Sequence, residues 1–182
     1  MEELVTCEGT VHSIIFQNAE NGYTVLRLLT EEGEVITVVG CIPCVAPGEH
    51  LAVSGVPETH PQHGEQLRAV ELERSLPEDE EEIFSYLSSG ICKGVGPATA
   101  RRIVERFGAE TLDVLEREPE RLTTLKGVTA RKAQEIAESF RQHMGLRRLM
   151  AFLAQFQLPP VLAMELRSEE RRVGKECRSR WS

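Results

Sequence analysis

Two short glycine turns carry the residues of this sequence that are best suited to hold a phosphate group. Lys93-Gly94-Val95-Gly96 and Lys126-Gly127-Val128-Thr129 repeat the order Lys-Gly-Val at an offset of thirty-three residues, from 93 to 126. A glycine turn leaves backbone N–H groups uncovered by side chains, so a phosphate oxygen can approach them closely. The two turns therefore predict two anion sites that need no dedicated side chain.

The residues after each turn predict a helix, whose first turn adds free amides and the positive end of its dipole. Its apolar positions follow the three-four spacing of a buried helix face. They are Ala100, Ile103, Val104 and Phe107 in the first copy, and Ala133, Ile136, Ala137 and Phe140 in the second. Helix, glycine turn and helix form a helix-hairpin-helix unit, which is present twice. Its amides would hold a sugar-phosphate backbone without reading base sequence.

Basic side chains near the turns complete the predicted DNA-binding set. The set comprises Lys93, Gly94, Val95, Gly96, Thr99, Arg101, Arg102, Lys126, Gly127, Val128, Thr129, Arg131 and Lys132. The competing interpretation is a helical hairpin whose glycines only permit close packing, and a single turn would favour it. Two copies in register, each followed by basic residues, favour DNA binding.

The charge is distributed unevenly along a chain whose formal net charge is −8. Residues 1–74 hold 3 Lys+Arg against 12 Asp+Glu, whereas residues 83–141 hold 10 Lys+Arg against 8 Asp+Glu. The block with the two turns is thus weakly basic and the block before it strongly acidic. This balance predicts modest, salt-sensitive affinity for DNA.

Short β-prone runs precede the repeat, at residues 4–16, 23–29, 35–39, 51–56 and 67–72, and turn residues separate them. Five strands without a long helix among them predict a small closed barrel of the OB type, because closure removes exposed edges. The predicted fold class is α+β and multidomain, with a five-stranded OB-like β-barrel followed by an all-α tandem helix-hairpin-helix domain.

Composition shifts place the domain boundaries. We predict a barrel at 1–74, an acidic, solvated linker at 75–82, the tandem hairpins at 83–141 and the start of a further helical domain at 142–166. Helices are expected at 83–88, 109–121 and 146–156, with another beginning at 161. Residues 167–182 form an atypical tail with the only Trp. A disordered or foreign end is favoured there over a basic nucleic-acid tail.

The barrel itself has few groups that bind single strands. Its aromatic residues are Phe16 and Tyr23, and its basic residues are Arg27, Arg68 and Arg74. A groove that stacks the nucleobases of a single strand needs more aromatic and more basic side chains, so we favour a packing or partner-docking role for the barrel.

Two residue pairs raise the alternative of a zinc site, namely Cys41 with Cys44 and His60 with His63. The histidine spacing is one residue tighter than the common ligand spacing, and both pairs lie in turn-like sequence. We therefore predict no metal. A redox role for the cysteine pair has even less support, since no βαβ context surrounds it.

The remaining composition favours the cytoplasm. No apolar run reaches the roughly 20 residues that cross a bilayer, and the start of the chain is acidic rather than basic, so no membrane role is expected. Five cysteines are an odd number and fit reduced thiols.

Residues 4–166 resemble the N-terminal part of the RecD-like ATP-dependent DNA helicase family. The resemblance rests on Asn21-Gly22-Tyr23-Thr24-Val25, Pro47-Gly48-Glu49, His60-Pro61 with Gly64, Ser89–Arg106, Glu118–Leu122 and Leu149–Pro159. It implies a superfamily-one helicase that unwinds duplexes from 5′ to 3′, with ATP and Mg expected in motor domains after this segment. This chain is then expected to bind single-stranded or forked DNA, and we predict no catalytic residue, metal or cofactor in it.

Departures from the family pattern affect each turn differently. Ala98 stands where a basic residue is usual and Thr129 where glycine is usual, while aromatics usual near Pro57, His63 and Leu67 are missing. We expect the first turn to depend on its amides with Arg101 and Arg102, and the second to use Arg131 and Lys132. The alternative function is a protein-docking module that recruits a repair partner, such as a single-strand-binding protein.

Overall fold

Five strands form a closed barrel in the first half of this computed structural model, which describes residues 3–156, 158, 162, 165 and 166. The strands are β1 (Val5–Gln17), β2 (Tyr23–Thr30), β3 (Val35–Cys41), β4 (His50–His60) and β5 (Gly64–Ser75). Their order around the barrel is β1-β2-β3-β5-β4. Neighbours are antiparallel except β3 and β5, which pair in parallel. The predicted OB-like barrel is confirmed.

Alternating side chains fill the barrel. In β2, Leu26 and Leu28 point inward and are fully buried. Arg27, which lies between them, points outward and is exposed, as is Tyr23 on the same face of the strand. Val38 and Val53 from facing strands complete the same core. The period-two pattern of these runs is what makes one face apolar and allows the sheet to close.

The helical half packs around a second core. Its helices are α1 (Glu80–Tyr86), α2 (Pro97–Phe107), α3 (Thr111–Arg117) and α4 (Ala130–Gln155). The eight apolar positions predicted from the three-four spacing of the two hairpin helices are all buried. The all-α region after the barrel is therefore confirmed.

Helix α4 runs through the predicted boundary at residue 142. It runs without interruption for 26 residues, so the second hairpin and the predicted further domain share one helix. Met144 belongs to the hairpin core, and Leu146 begins the next buried cluster. Burial on both sides of Gly145 outweighs the low helix propensity of that one residue. Phe152, near the end of α4, is exposed.

Two further helical boundaries differ from the predictions. Residues 109–121 divide into α3 and two 3₁₀ turns, Gly108–Glu110 and Pro119–Thr124, because Pro119 has no N–H to continue α3. After α1, Leu87–Ile91 forms a wider π turn, which Gly90 interrupts with a φ of 93°.

The predicted acidic linker 75–82 is exposed at residues 78–81, but its last three residues already form the first turn of α1. Helix α1 begins at Glu80, and Asp79 caps it by accepting a hydrogen bond from the Glu82 N–H at 2.8 Å. Acidic residues in this first turn suit the positive end of the helix dipole. The Glu82 carboxylate accepts a hydrogen bond from Thr10 of the barrel at 2.8 Å, which joins the two halves of the chain.

Within the described part of the chain, no helix is both long and apolar enough to cross a membrane. The predicted helix that begins at residue 161 falls mostly outside the described residues, and so does the whole predicted tail at 167–182.

Candidate nucleic-acid interface

The two predicted turns have the same backbone geometry. We call residues 92–99 corner one and residues 125–132 corner two. In both corners the glycine after lysine, Gly94 or Gly127, has a φ of 86°. The next N–H closes the turn, from Val95 to the Cys92 carbonyl at 3.3 Å and from Val128 to the Leu125 carbonyl at 3.2 Å. A positive φ at the third position of such a turn is why glycine is needed there.

Both corners face open space. A Cβ added to Gly94 or Gly96 would meet no atom within 4 Å, and one added to Gly127 would meet only the Arg102 guanidinium, at 3.8 Å. These glycines are therefore not explained by close packing against other elements. Their backbone is accessible to a ligand.

The open amides of corner one lie in its turn and in the first turn of α2. Among the described residues, no acceptor is bound by the N–H groups of Gly94, Gly96, Ala98 and Thr99. Gly96 is the N-cap of α2 and offers no side chain to occupy them. Pro97, at the first helical position, has no N–H. These donors lie at the positive end of an 11-residue helix, where an anion is favoured.

Corner two is similar, but one of its amides is occupied. The Thr129 hydroxyl accepts a hydrogen bond from the Lys132 N–H at 3.2 Å, and the Thr129 carbonyl accepts one from the Ala133 N–H at 2.9 Å. Thr129 is thus a side-chain cap of α4. Within the described residues, no acceptor is bound by the N–H groups of Lys126, Gly127, Thr129, Ala130 and Arg131.

Four of the thirteen predicted site residues have a narrower role than expected. The side chains of Val95, Val128 and Thr99 are buried at 5%, 7% and 9% exposure, because they pack into the helical core or beside it. They cannot contact a ligand with their side chains. Thr99 retains an open amide, whereas the two valine amides close their turns. The Lys93 amide is also occupied, since it donates to the Ser139 hydroxyl at 2.9 Å.

Each corner is held by the helix of the other copy. Arg102 on α2 donates to the Lys126 carbonyl of corner two at 2.8 Å. Ser139 on α4 accepts from the Lys93 amide of corner one. These crossed contacts fix the two corners relative to each other. Arg102 therefore supports corner two rather than corner one, which differs from the expectation drawn from the sequence.

The other basic side chains surround the corners and are mostly exposed. The Arg101 guanidinium lies 4.0 Å from the centre of the Phe84 ring, a cation–π contact with α1. Arg131 pairs with Glu135 at 3.3 Å, but its side chain is 90% exposed, so the pair contributes little. Lys93 and Lys126 are exposed and Lys132 is half-buried.

Sequence reasoning missed three residues of this site. Ala98 lies in the first turn of α2, and Ala130 lies in the first turn of α4. Ser139 supports corner one through its hydrogen bond with the Lys93 N–H. The alanines could have been found from the N-terminal amide rule, since the first four N–H groups of any helix lack an intrahelical partner. The contact of Ser139 depends on helix packing and has no local sequence signal.

The cysteine and histidine pairs do not form a shared site. No group of three or more candidate metal ligands occurs in the described residues, which include all four. His60 and His63 stack on each other with ring centroids 4.7 Å apart. Burial raises the pKa of the Cys92 thiol, at the base of corner one, to about 12. That thiol is therefore protonated and unreactive at neutral pH.

Comparison with known proteins places both halves of the chain. Residues 4–77 match the family model for the OB-fold domain of the ATP-dependent DNA helicase YrrC. Residues 84–142 match the SAM-like helix-hairpin-helix tandem. Over 152 residues the chain is 32% identical to the ATP-dependent RecD2 DNA helicase of Deinococcus radiodurans. The chain therefore matches the N-terminal region of the RecD-like DNA helicase family.

This RecD-like region is short relative to that helicase. The matched segment covers 80% of this chain and 21% of the Deinococcus protein. The predicted resemblance to the family is confirmed, with the barrel and the tandem hairpins in the expected order.

Two solved structures resemble part of the RecD-like region. A chain of the S. pombe Stn1-ten1 complex is 21% identical, covers 40% of this chain and 57% of its own length, and gives a TM-score of 0.33. The OBody NL8 bound to hen egg-white lysozyme is 11% identical, covers 40% of this chain and 92% of its own length, and gives a TM-score of 0.31.

Proposed function

We propose that this region binds DNA without sequence preference, as an accessory region of a RecD-like helicase that unwinds DNA from 5′ to 3′. Corners one and two grip two phosphates of the backbone through open amides at the starts of α2 and α4. The observation that carries this proposal is the pair of matching glycine corners, both facing open space.

The chemistry of the corners supports phosphate as the ligand. Backbone N–H groups and the positive helix ends favour an anion, and neither corner presents a base-reading side chain in a fixed geometry. Exposed Lys93 and Lys126 add mobile positive charge beside the turns. DNA also fits the family, because both the family model and the Deinococcus relative are described as DNA helicases.

The proposal extends to the rest of the helicase. ATP and Mg would be bound by motor domains outside the described residues, and this region would hold DNA near them. Single-stranded or forked DNA is the expected substrate, and repair or recombination the expected process. A cytoplasmic location follows for such an enzyme, since it acts where the DNA is.

A charge substitution at the corners tests the proposal without straining the backbone. Gly96 has an ordinary extended conformation with open space around it, so Gly96→Glu fits sterically. Thr129→Glu places a second carboxylate at corner two. Glutamate at a helix N-terminus is compatible with helix stability, and so the fold should persist.

The matched control is the same substitution far from the corners. Gly145 is exposed on α4 and has open space around it, so Gly145→Glu adds the same charge as each of the two corner substitutions taken singly. Fluorescence anisotropy with labelled forked DNA should show at least about a tenfold loss of affinity for the Gly96→Glu, Thr129→Glu double variant, because carboxylates repel phosphate. Gly145→Glu should stay within about twofold of the parent protein. Equal affinities of the double variant and the control would contradict the proposal.

One observation favours the second candidate function, partner docking. Phe16 and Tyr23 lie on the outer face of the barrel, exposed at 52% and 43%, with ring centroids 6.4 Å apart. Leu29 and Val35 are exposed on the neighbouring strands. An apolar outer face of this kind suits a protein partner such as a single-strand-binding protein. If docking is the function, the double variant Phe16→Ser, Tyr23→Ser should no longer bind the purified single-strand-binding protein. Binding as strong as that of the parent protein would contradict docking through this face.

A further inference from the structure

The loop of residues 43–49, between β3 and β4, contributes side chains to three hydrophobic clusters. Val45 belongs to the barrel core, Ala46 belongs to the core of the helical half, and Cys44 packs on the cluster around Leu146. Three successive residues thus enter three different cores. The loop cannot shift without disturbing both halves of the molecule.

Gly48 allows the two halves to meet at this loop. Its φ is 91°, and a Cβ at this position would collide with the carbonyl oxygen of Glu82 on α1. Its N–H donates to the Val11 carbonyl of β1 at 2.9 Å. Both the backbone conformation and the close approach of α1 therefore require glycine.

Glu49 ties a strand of the barrel to α4. Its carboxylate is fully buried and accepts a hydrogen bond from the Ala46 N–H at 2.7 Å. Arg74 of β5 reaches the same carboxylate at 3.0 Å, and Arg147 of α4 reaches it at 3.1 Å. Arg74 also donates to the carbonyls of Pro43 and Cys44 in the loop.

A buried carboxylate between two arginines specifies geometry more than it adds stability. The cost of taking the charges out of water offsets much of their attraction, but each charge can be satisfied in only one arrangement. Both arginine side chains are largely buried, at 14% and 10% exposure, so solvent screens these ion pairs little while the halves stay together.

We propose that loop 43–49 is a rigid joint that fixes the acidic barrel at the end of α4 remote from corner two. Arg147 lies 18 residues after Thr129, which is roughly 27 Å along a helix. The screening length at physiological salt is about 8 Å, so acidic groups held beside Arg147 repel a DNA phosphate at corner two only weakly. This second consequence rests on the proposed DNA binding, whereas the joint itself does not.

Residual dipolar couplings of backbone amides test the joint. In the parent protein, strands β1–β5 and helices α2 and α4 should fit a single alignment tensor. Arg147→Met removes the contact from the helical side and leaves Glu49 paired with Arg74, so the barrel should stay folded. It should give separate tensors for the barrel and the helices.

The control is the next residue. Arg148 is exposed and pairs with Glu116 of α3, inside the helical half. Arg148→Met should therefore keep one tensor. The proposed joint would be refuted if the barrel and the helices of the parent protein needed two different tensors. It would also be refuted if both halves of Arg147→Met still fitted the single tensor of the parent protein. If Arg147→Met fails to fold, the parent measurement alone can still refute the joint, because two tensors would mean that the barrel and the helices move independently.

Affinity for forked DNA separates this inference from the proposed function. The double variant Gly96→Glu, Thr129→Glu should lose DNA binding, while its barrel and helices should still fit a single alignment tensor. Arg147→Met, in low salt, should bind DNA about two- to fivefold more weakly, because a loose barrel with 3 Lys+Arg against 12 Asp+Glu can approach the DNA. Unchanged affinity in a variant with two tensors would overturn the claim that the joint keeps the barrel away from DNA.

Discussion

At the scale of single residues, the two corners differ by one hydroxyl group. Thr129 Oγ1 occupies the Lys132 amide in corner two, while the corresponding amide of Thr99 in corner one is open. Thr129→Gly frees the amide, so we expect forked-DNA affinity to rise about two- to threefold while stability falls by only a few tenths of a kcal/mol. Thr129→Ser keeps the cap and should bind like the parent. Indistinguishable affinities for the two variants, measured by anisotropy, would refute the role of this amide.

The buried thiol of Cys92 makes the free energy of unfolding depend on pH at alkaline values. Burial raises its pKa from 9.0 to about 12, so above pH 9 the unfolded chain releases a proton that the folded chain retains. The free energy of unfolding should therefore fall between pH 9 and 12, by at most about 1.4 kcal/mol per pH unit from this group. Below pH 9 the group has no effect.

Urea denaturation at several pH values checks this prediction. Cys92→Ala should show a shallower fall above pH 9 than the parent protein. Some slope should remain, because burial also raises the pKa of Tyr86 and acts in the same direction. Parallel curves for the two proteins would show that Cys92 ionises equally in the folded and unfolded states.

Residue types and spacing were enough to predict the corners but not the partners of their side chains. The repeat of Lys-Gly-Val located both turns, since a left-handed glycine is a local requirement. It could not show that Val95, Val128 and Thr99 point into the core, or that Arg102 crosses to the other corner. Those outcomes depend on how α2 and α4 pack against each other.

At the scale of elements, α4 is the main difference between expectation and structure. The sequence predicted a boundary at residue 142 because the repeat ends there and a separate helix was expected from residue 146. The structure has one helix through this point, about 39 Å long at 1.5 Å per residue. Local propensity cannot reveal that Met144 and Leu146 are both buried, in different clusters, and that burial holds the helix together.

Substitution of Gly145 tests the continuity of α4. Gly145 is exposed in the middle of the helix with open space around it, so Gly145→Ala should raise the free energy of unfolding by about 0.5–1 kcal/mol. Gly33→Ala is the control, since its φ of 85° makes any side chain strained and should lower stability. Thermal melts measure both. A destabilising Gly145→Ala would show that the chain is not helical at this residue.

At the scale of the whole molecule, the barrel was predictable and its attachment was not. Five alternating runs with turn residues between them indicate a closed sheet, because each run has one apolar face and no helix covers the other. The acidic segment 75–82 was predicted to be a linker, and its sequence did not indicate a contact with the barrel. In the structure Glu82 bonds to Thr10, and Glu49 is buried between Arg74 and Arg147. Such contacts join residues far apart in the sequence and leave no local pattern.

The barrel and the hairpins have opposite electrostatic character within one molecule. A barrel with 3 Lys+Arg against 12 Asp+Glu disfavours DNA, while the hairpins present open amides and a slight excess of basic residues. Contact with DNA should therefore be confined to one part of the surface. Measurement of DNA contact residue by residue can therefore distinguish binding at the hairpins from binding at the barrel.

Titration of the isotopically labelled protein with a short forked DNA, followed by amide chemical shifts, tests the central claim most directly. The account predicts that the largest shifts occur at the open amides of both corners, Gly94, Gly96, Ala98, Gly127 and Thr129, with little change on β1–β3. Largest shifts at Phe16 and Tyr23 on the barrel, with both corners unchanged, would contradict it.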